Sequence, residues 1–179
     1  MGSSVYIYMI ETKDNFLNDT YFKELETEFT SEWLPWYLQH SVSIKNDGHI
    51  QMTHNIYRDS RPVSDTFNLM MPLISELNIC TLIRMKLNLL YRTEKTIEHG
   101  WHIDITDAPK ITKSAVLYLN TNNGYTKFED GTKIESVANR VVIFPNSLKH
   151  TGSTNTCDTP YRLVLNIDYI EGEKNEVGH

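Results

Sequence analysis

The sequence has few cysteines and no long hydrophobic run. Its 2 cysteines, Cys80 and Cys157, form neither a disulfide framework nor a metal-binding pattern, so we expect a reducing compartment, the cytoplasm. No apolar stretch approaches the roughly 18 residues that cross a bilayer, and the apolar run at 5–10 is too short for a secretory signal. These absences exclude a disulfide-stapled scaffold and predict no membrane association.

The chain also lacks an excess of basic residues, internal repeats and linkers rich in Gly, Ser or Pro. Its 17 Lys and Arg against 23 Asp and Glu give a formal net charge of −6, which argues against general nucleic-acid binding because that needs a basic surface. We therefore expect one domain over 1–179. It divides into a mixed α/β support over 1–79, a β-rich core over 80–170 and an acidic tail over 171–179.

The first part of the chain mixes strand and helix patterns. We expect strands over 5–10 and 50–57. Asn18 suits the start of a helix, and apolar residues then recur at helical spacing until Pro35. The range 63–77 predicts a second helix, with an apolar face and a proline near its start.

From Cys80 onward the pattern becomes β-rich, with turn residues such as Asp130-Gly131 between short apolar segments. A series of short strands without intervening helices predicts a mainly β fold with a closed or sandwiched antiparallel sheet. We interpret it as a double-stranded β-helix, or jelly roll, with the N-terminal helices packed outside it. The predicted strands cover 80–91, 97–103, 113–120, 124–128, 132–137, 139–144, 148–153 and 160–170.

His102 and Asp104 form the first candidate site. In an extended segment residues i and i+2 point the same way, so the imidazole and the carboxylate share one face. They could occupy two adjacent corners of a metal site. The alternative is an ordinary polar pair at the mouth of a sheet, since a single His-x-Asp match has little specificity.

His150 is the second candidate. It follows the continuous apolar run 141–144, which predicts a buried strand, and the turn after that run. The ring lies about where the next strand would begin. It could be a metal ligand, or it could simply cap the turn.

The segment 161–169 provides the third candidate. Alternation sends Arg162 and Asn166 to one face, and Leu163 and Leu165 to the other. If the leucine face packs outward, Arg162 lies inside the barrel, where a cation is costly without an anion. Either an internal salt bridge or a dicarboxylate ligand would satisfy it, because the guanidinium fork binds a carboxylate through two hydrogen bonds.

The three candidates have one common explanation. Two histidines and one aspartate on one side of a cavity, with positions left open, form the facial triad of non-haem iron(II) oxygenases. Zinc favours a tetrahedral site, and magnesium or calcium a site richer in oxygen ligands. An arginine beyond the second histidine would then hold the far carboxylate of a co-substrate.

The order of these motifs resembles that of the 2-oxoglutarate/iron(II)-dependent dioxygenase superfamily, particularly its prolyl-4-hydroxylase-like branch. Within that branch it is similar to small phage-encoded members. The similar stretch runs from about 84 to 169, roughly half of the chain. Asn123 stands where the family pattern has the first glycine of a hairpin, a difference that a turn position tolerates. The matching motifs are His102-x-Asp104, 115–120, 123–128, 139–144, His150 and Arg162.

The resemblance implies specific roles for the candidate residues. Iron(II) would be bound by His102, Asp104 and His150, and the C5 carboxylate of 2-oxoglutarate by Arg162. Further co-substrate contacts are implied for residues on the neighbouring strands: Tyr118, Asn166 and Asn88.

The implied activity is that of a hydroxylase that uses O2 and decarboxylates 2-oxoglutarate to succinate. The prolyl-hydroxylase-like pattern predicts a C–H bond of a peptide or protein as the substrate. A small-molecule or nucleobase oxygenase with the same iron site is one alternative, and a non-catalytic cupin-like binding module is another. The predicted location is the cytoplasm, or the host cytoplasm for a phage-encoded protein.

Overall fold

The computed structural model describes residues 9–45 and 47–173. Most of the strand predicted at 5–10 lies outside the described residues, as does most of the tail predicted at 171–179. Within the described ranges, no helix has the length and apolar character needed to cross a membrane.

The described chain contains two α-helices, one 3-10 helix and eleven strands. The helices are α1 (Asp19–Phe29), the 3-10 helix Asp65–Met70 and α2 (Met71–Glu76). The strands are β1 (Glu11–Lys13), β2 (Tyr37–Gln39), β3 (Gln51–Arg58), β4 (Arg61–Pro62), β5 (Ile79–Tyr91), β6 (Thr112–Tyr118), β7 (Tyr125–Phe128), β8 (Lys133–Glu135), β9 (Arg140–Pro145), β10 (His150–Gly152) and β11 (Tyr161–Glu171).

These strands form two antiparallel sheets. The larger sheet has the order β1-β9-β6-β11-β5-β3-β2, with β4 also paired to β3. The smaller sheet has the order β10-β7-β8. The expected mainly β, antiparallel architecture is therefore confirmed. Because non-consecutive strands are neighbours, residues far apart in the chain share one sheet face.

Helix α1 begins where the sequence predicts and ends earlier. The Asn18 side chain accepts a hydrogen bond from the backbone N–H of Tyr21 at 3.0 Å, which caps the helix. The predicted continuation to Pro35 is wrong, because the helix ends at Phe29. The Thr30 hydroxyl bonds back to the Glu26 carbonyl at 2.7 Å, and the chain then leaves the helical path.

The predicted helix over 63–77 is two shorter pieces. The Ser64 hydroxyl accepts a hydrogen bond from the Thr66 N–H, and a 3-10 helix follows. Regular α-helix begins only at Met71, and Pro72 occupies its first turn. Proline has no N–H to donate to the preceding turn, so a continuous α-helical ladder through this point is not possible.

The predicted strand over 97–103 is wrong. Only isolated bridges, Glu98 to Ser153 and His102 to His150, join this segment to its neighbour. A side chain at Gly100 would meet the Ser43 hydroxyl at 2.9 Å, so the backbone passes very close to a loop there. The segment therefore follows β10 without forming a regular ladder.

The two faces of β11 have different environments, as alternation predicts. Leu163 and Leu165 belong to the same hydrophobic cluster as Leu25 and Phe29 of α1. The opposite face of β11, including Arg162, lines a cavity between the two sheets. Most of the candidate functional residues therefore line the walls of this cavity.

Candidate metal centre and co-substrate cavity

The three predicted metal ligands lie together. His102, Asp104 and His150 each offer a ligand atom, and these atoms lie within 4.8 Å of one another. His102 and His150 exchange two backbone hydrogen bonds of 3.0 Å, which hold their rings side by side at a centroid distance of 4.6 Å. The donor set and its close spacing fit a single metal ion bound on one face.

Backbone carbonyls set the orientation of both imidazoles. His102 Nδ1 lies 3.1 Å from the Gly100 carbonyl oxygen, and His150 Nδ1 lies 3.2 Å from that of Leu148. A carbonyl can only accept, so each Nδ1 is the protonated nitrogen and each Nε2 keeps a free lone pair. Burial lowers the pKa of His150, which keeps this ring neutral and able to bind metal.

Arg84 positions the carboxylate ligand. Its Nη2 donates to Asp104 Oδ1 at 2.7 Å, and its Nε donates to Asp168 Oδ2 at 2.8 Å. The other oxygen of Asp104 lies 3.4 Å from His150 Nε2, on the metal side. Arg84 therefore fixes Asp104 with one oxygen directed at the ligand cluster.

The pKa values of the two carboxylates beside Arg84 are shifted in opposite directions. Burial raises the pKa of Asp104, but His150 and Arg84 outweigh it and bring the pKa below its ordinary value. Burial and the nearby Asp104 raise the pKa of Asp168 to about 6. Asp104 is thus the carboxylate that stays ionised most readily, as a metal ligand requires.

Arg162 is buried, at 4% exposure, and its hydrogen bonds to described residues go to hydroxyl groups. Its Nε donates to Ser136 Oγ at 2.8 Å, and its Nη2 donates to Thr126 Oγ1 at 3.2 Å. Among the residues that the structure describes, no carboxylate lies within ion-pair distance of Arg162. The internal salt bridge considered as an alternative is therefore not found in the described chain.

Two glycines lie beside this arginine, and one of them makes room for it. A Cβ at Gly124 would lie 2.7 Å from Arg162 Cδ, closer than atoms can approach without movement. A Cβ at Gly152 would lie 3.6 Å from Nη1, at ordinary contact distance. Gly124, from the predicted hairpin, thus permits the close approach of the Arg162 side chain.

The metal cluster and Arg162 line one cavity of about 170 Å³. Asn88 and Asn166 also line it, and the Oδ1 atom of each is buried without a hydrogen-bond partner in the described chain. Unpartnered buried polar atoms are costly, so they indicate a polar ligand. A metal-chelating dicarboxylate would meet the metal, the arginine and these amides in one space.

Tyr118 is next to this cavity and does not line it. Its hydroxyl donates to Thr126 Oγ1 at 2.8 Å, and its ring centre lies 5.5 Å from Arg162 Cζ. Burial raises the pKa of Tyr118, which keeps the phenol protonated. The predicted contact of Tyr118 with a carboxylate thus remains a prediction, and Thr126 connects the tyrosine to Arg162.

The aromatic residues beside the site differ in their exposure to solvent. Trp101 is 42% exposed, with the Lys127 ammonium 5.9 Å from its ring. The Tyr125 hydroxyl donates to Glu98 at 2.5 Å on the surface. Phe128 is buried against Phe144 and His150. Trp101 is therefore exposed directly beside the predicted ligand His102, and Tyr125 is partly exposed on the surface.

Sequence reasoning missed the residues that support the site. Arg84 and Lys86 line the cavity beside Asn88, and Ser136 bonds to Arg162. The signal for Arg84 and Lys86 was available, because residues at spacing two on a strand share a face with Asn88. Ser136 lies in a short predicted strand, 132–137, whose sequence has no pattern that would link it to Arg162.

No protein-family model and no curated protein sequence matches the chain. Solved structures do match. A 2OG-Fe(II) oxygenase-family oxidoreductase from Burkholderia pseudomallei has a TM-score of 0.66 and 12% identity, covering 92% of this chain and 86% of that one. A prolyl-4-hydroxylase from Pseudomonas putida has a TM-score of 0.53 and 16% identity, covering 93% and 95%.

A third similar structure is the epimerase SnoN in complex with Fe3+, alpha ketoglutarate and nogalamycin RO. It has a TM-score of 0.64 and 14% identity, and covers 96% of this chain and 88% of that one. At such identities the likeness concerns the fold. The resemblance inferred from the motifs is confirmed at that level: the chain has the fold of 2OG-Fe(II) oxygenases, prolyl-4-hydroxylases among them.

Proposed function

We propose that this protein is an iron(II)- and 2-oxoglutarate-dependent oxygenase of the prolyl-4-hydroxylase-like branch. It would be a single double-stranded β-helix domain over 1–179 with the N-terminal helices as outer support. The observation that carries the proposal is one cavity that holds both a His-Asp-His cluster and a buried arginine without a carboxylate partner in the described chain.

The residues have distinct proposed roles. Iron is held by His102, Asp104 and His150. Each histidine binds it through Nε2, because its Nδ1–H donates a hydrogen bond to a backbone carbonyl. Arg162 pairs with the distal carboxylate of 2-oxoglutarate from the opposite end of the cavity. The structure supports this pairing, since Thr126 and Ser136 already fix the guanidinium.

The remaining polar residues would complete the co-substrate site. Asn88 and Asn166 each offer a buried Oδ1 acceptor without a partner in the described chain, and Tyr118 acts through Thr126 or directly on the carboxylate. When bound, iron supplies the redox chemistry that couples O2 and the decarboxylation of 2-oxoglutarate to succinate with oxidation of a substrate C–H bond. The protein contributes fixed geometry and a largely buried cavity that limits access of water.

We propose hydroxylation of a peptide or protein side chain as the reaction. The similarity to a prolyl-4-hydroxylase supports it, as does Trp101, which is exposed beside the ligand His102. A small-molecule substrate is the second candidate, because SnoN, with a similar fold, was solved with a small molecule. A non-catalytic cupin-like module is disfavoured, since such a module has no need for an unpaired Arg162.

The direct test is succinate formation from 2-oxoglutarate in air, with and without added Fe(II) and without a prime substrate. We expect slow turnover that requires Fe(II) and is lost in His102→Ala. His40→Ala removes an exposed histidine outside the cavity and serves as the matched control. If purified protein with bound iron forms no succinate, or if His102→Ala forms it at the wild-type rate, the proposed function is wrong.

A further inference from the structure

Lys86 is a cation in the metal cavity to which the proposed chemistry gives no role. It lies on β5 between Arg84 and Asn88, and all three side chains line the cavity. On the neighbouring strand β11 its register partner is Asn166, whose Oδ1 has no hydrogen-bond partner in the described chain. Lys86 thus lies within a row of polar groups that face the metal cluster.

No partner for the Lys86 ammonium occurs among the described residues. It makes no ion pair and no hydrogen bond there, and the two nearby carboxylates, Asp104 and Asp168, are both bonded to Arg84. A cation held in a largely buried cavity is costly unless an anion accompanies it. The position therefore calls for an anionic group from a ligand.

The co-substrate would direct its distal carboxylate to Arg162 and its other carboxylate to the metal, so neither is left free for Lys86. Arg162 pairs with Leu90 of β5, and Asn166 pairs with Lys86. Leu90 and Lys86 are four residues apart, which is about 13 Å along a strand at ~3.3 Å per residue. Lys86 belongs to the end of the cavity where Arg84 holds Asp104, and Arg162 belongs to the other end.

The charges in the cavity support the same conclusion. Three cations, Arg84, Lys86 and Arg162, line the cavity with one carboxylate, Asp104, and a second carboxylate, Asp168, is paired with Arg84. A divalent metal and a dianionic co-substrate would cancel each other, so one positive charge remains. Burial lowers the pKa of Lys86 to about 8, which leaves the ammonium form predominant at pH 7.

We propose that Lys86 binds a carboxylate of the prime substrate, which is therefore a carboxylic acid. This inference rests on the proposed oxygenase function and adds the substrate class. The acid is either a free small molecule or an acidic residue of a peptide. In both cases the substrate carboxylate lies beside the metal cluster.

The test uses lysine-labelled, Zn(II)-loaded protein saturated with 2-oxoglutarate, in which no turnover occurs. The NMR signal of the Lys86 side chain is identified by its loss in Lys86→Met. We expect acetate to shift this signal saturably, and acetamide and sodium chloride at matched concentration to leave it in place. Lys110→Met, which removes an exposed lysine outside the cavity, should retain the acetate response.

Two further probes distinguish the sources of the carboxylate. N-acetylglycine represents a free small acid, and N-acetylglutamyl amide represents an acidic residue within a peptide. The probe that saturates Lys86 at the lower concentration identifies the source. Lys86→Met should weaken its binding by about tenfold or more, as expected for loss of a charged hydrogen bond.

The inference is overturned if no carboxylate shifts the Lys86 signal. It is also overturned if Lys86→Met weakens 2-oxoglutarate binding as much as Arg162→Ala does, because Lys86 would then serve the co-substrate. Succinate formation by the wild-type iron protein is measured alongside. Turnover with an unresponsive Lys86 overturns only this inference, whereas absence of iron-dependent turnover overturns the proposed function as well.

Discussion

At the scale of single residues, two arginines organise the cavity in different ways. Arg84 donates hydrogen bonds to Asp104 and Asp168 and so supports the metal ligand Asp104. Arg162 bonds to the hydroxyl groups of Ser136 and Thr126, lies near the Tyr118 ring, and has no carboxylate partner in the described chain. One arginine is therefore neutralised by the protein, and the other is left for a ligand.

Replacing Arg84 should weaken metal binding without removing a ligand. In Arg84→Met the Asp104 carboxylate loses the hydrogen bond that orients it, and we expect iron affinity to fall about 10- to 100-fold, as is typical for groups that orient metal ligands. The measurement is a competitive Fe(II) titration without oxygen, with folding checked by circular dichroism.

Asp168→Asn is the matched control for Arg84. It changes the other partner of the guanidinium and leaves the bond from Arg84 to Asp104 in place. We expect iron affinity within about threefold of the wild type. Equal iron affinity in Arg84→Met and the wild type would show that Arg84 does not position Asp104.

Single residues also show what the sequence could not reveal about the site. The triad and Arg162 were predicted from the combination and order of their motifs along the chain, although each motif alone has little specificity. The roles of Arg84 and Ser136 depend on contacts to Asp168 and Arg162, which are distant in the chain. Such contacts follow from strand register across the sheets, and one sequence does not specify that register.

At the scale of elements, the smaller sheet holds Arg162 in place. Thr126 of β7 accepts a hydrogen bond from the guanidinium, and Gly124, just before β7, leaves space for its methylene chain. The start of this short hairpin thus determines where the Arg162 charge lies. The arrangement explains why a glycine, Gly124, stands two residues before Thr126 in the predicted motif.

Gly124→Ala should therefore lower the affinity for 2-oxoglutarate. The new Cβ would lie 2.7 Å from Arg162 Cδ and would push the side chain out of position. We expect a loss of about tenfold or more, since displacement weakens a charged hydrogen bond. Calorimetric titration of the metal-loaded protein measures it.

Gly152→Ala is the comparison variant, because its Cβ would make only an ordinary 3.6 Å contact with Arg162 Nη1. We expect a smaller loss of affinity than in Gly124→Ala. If Gly124→Ala binds 2-oxoglutarate as tightly as the wild type, the hairpin does not control the position of Arg162.

The sequence predicted strands better than the segments between them. The segment 161–169 was assigned correctly because alternation along a strand distinguishes its two faces without knowledge of its neighbours. The range 97–103 was assigned wrongly because its residues have β character, while in the structure the segment makes only isolated bridges and passes close to a loop at Gly100. The short bridges that this segment makes depend on tertiary contacts.

At the scale of the whole molecule, one hydrophobic cluster joins the N-terminal helix to the larger sheet. Leu25 of α1 is fully buried in the cluster that also contains Leu163 and Leu165 of β11. The opposite face of β11 carries Arg162. Packing and function thus use opposite faces of the same strand, so they can be perturbed separately.

Leu25→Ala should destabilise the fold and spare the site. Removing this side chain leaves a cavity in the core, and we expect the free energy of unfolding to fall by about 2–5 kcal/mol. Chemical denaturation measures the change, with Lys23→Ala on the exposed side of α1 as the control. A large loss of 2-oxoglutarate affinity in the folded Leu25→Ala protein would contradict the separation of the two faces.

The most direct test of the oxygenase assignment is a 2-oxoglutarate titration of Arg162→Ala with iron bound and oxygen excluded. Without Arg162 the distal carboxylate would be buried without a counter-charge, which typically costs about 2–5 kcal/mol. We therefore predict a loss of affinity of roughly thirty- to several-thousand-fold, at about 1.4 kcal/mol per decade, with iron affinity retained. Arg162→Lys should restore only part of it, because a lysine lacks the planar fork. Unchanged 2-oxoglutarate affinity in Arg162→Ala, with intact iron binding, would contradict the account.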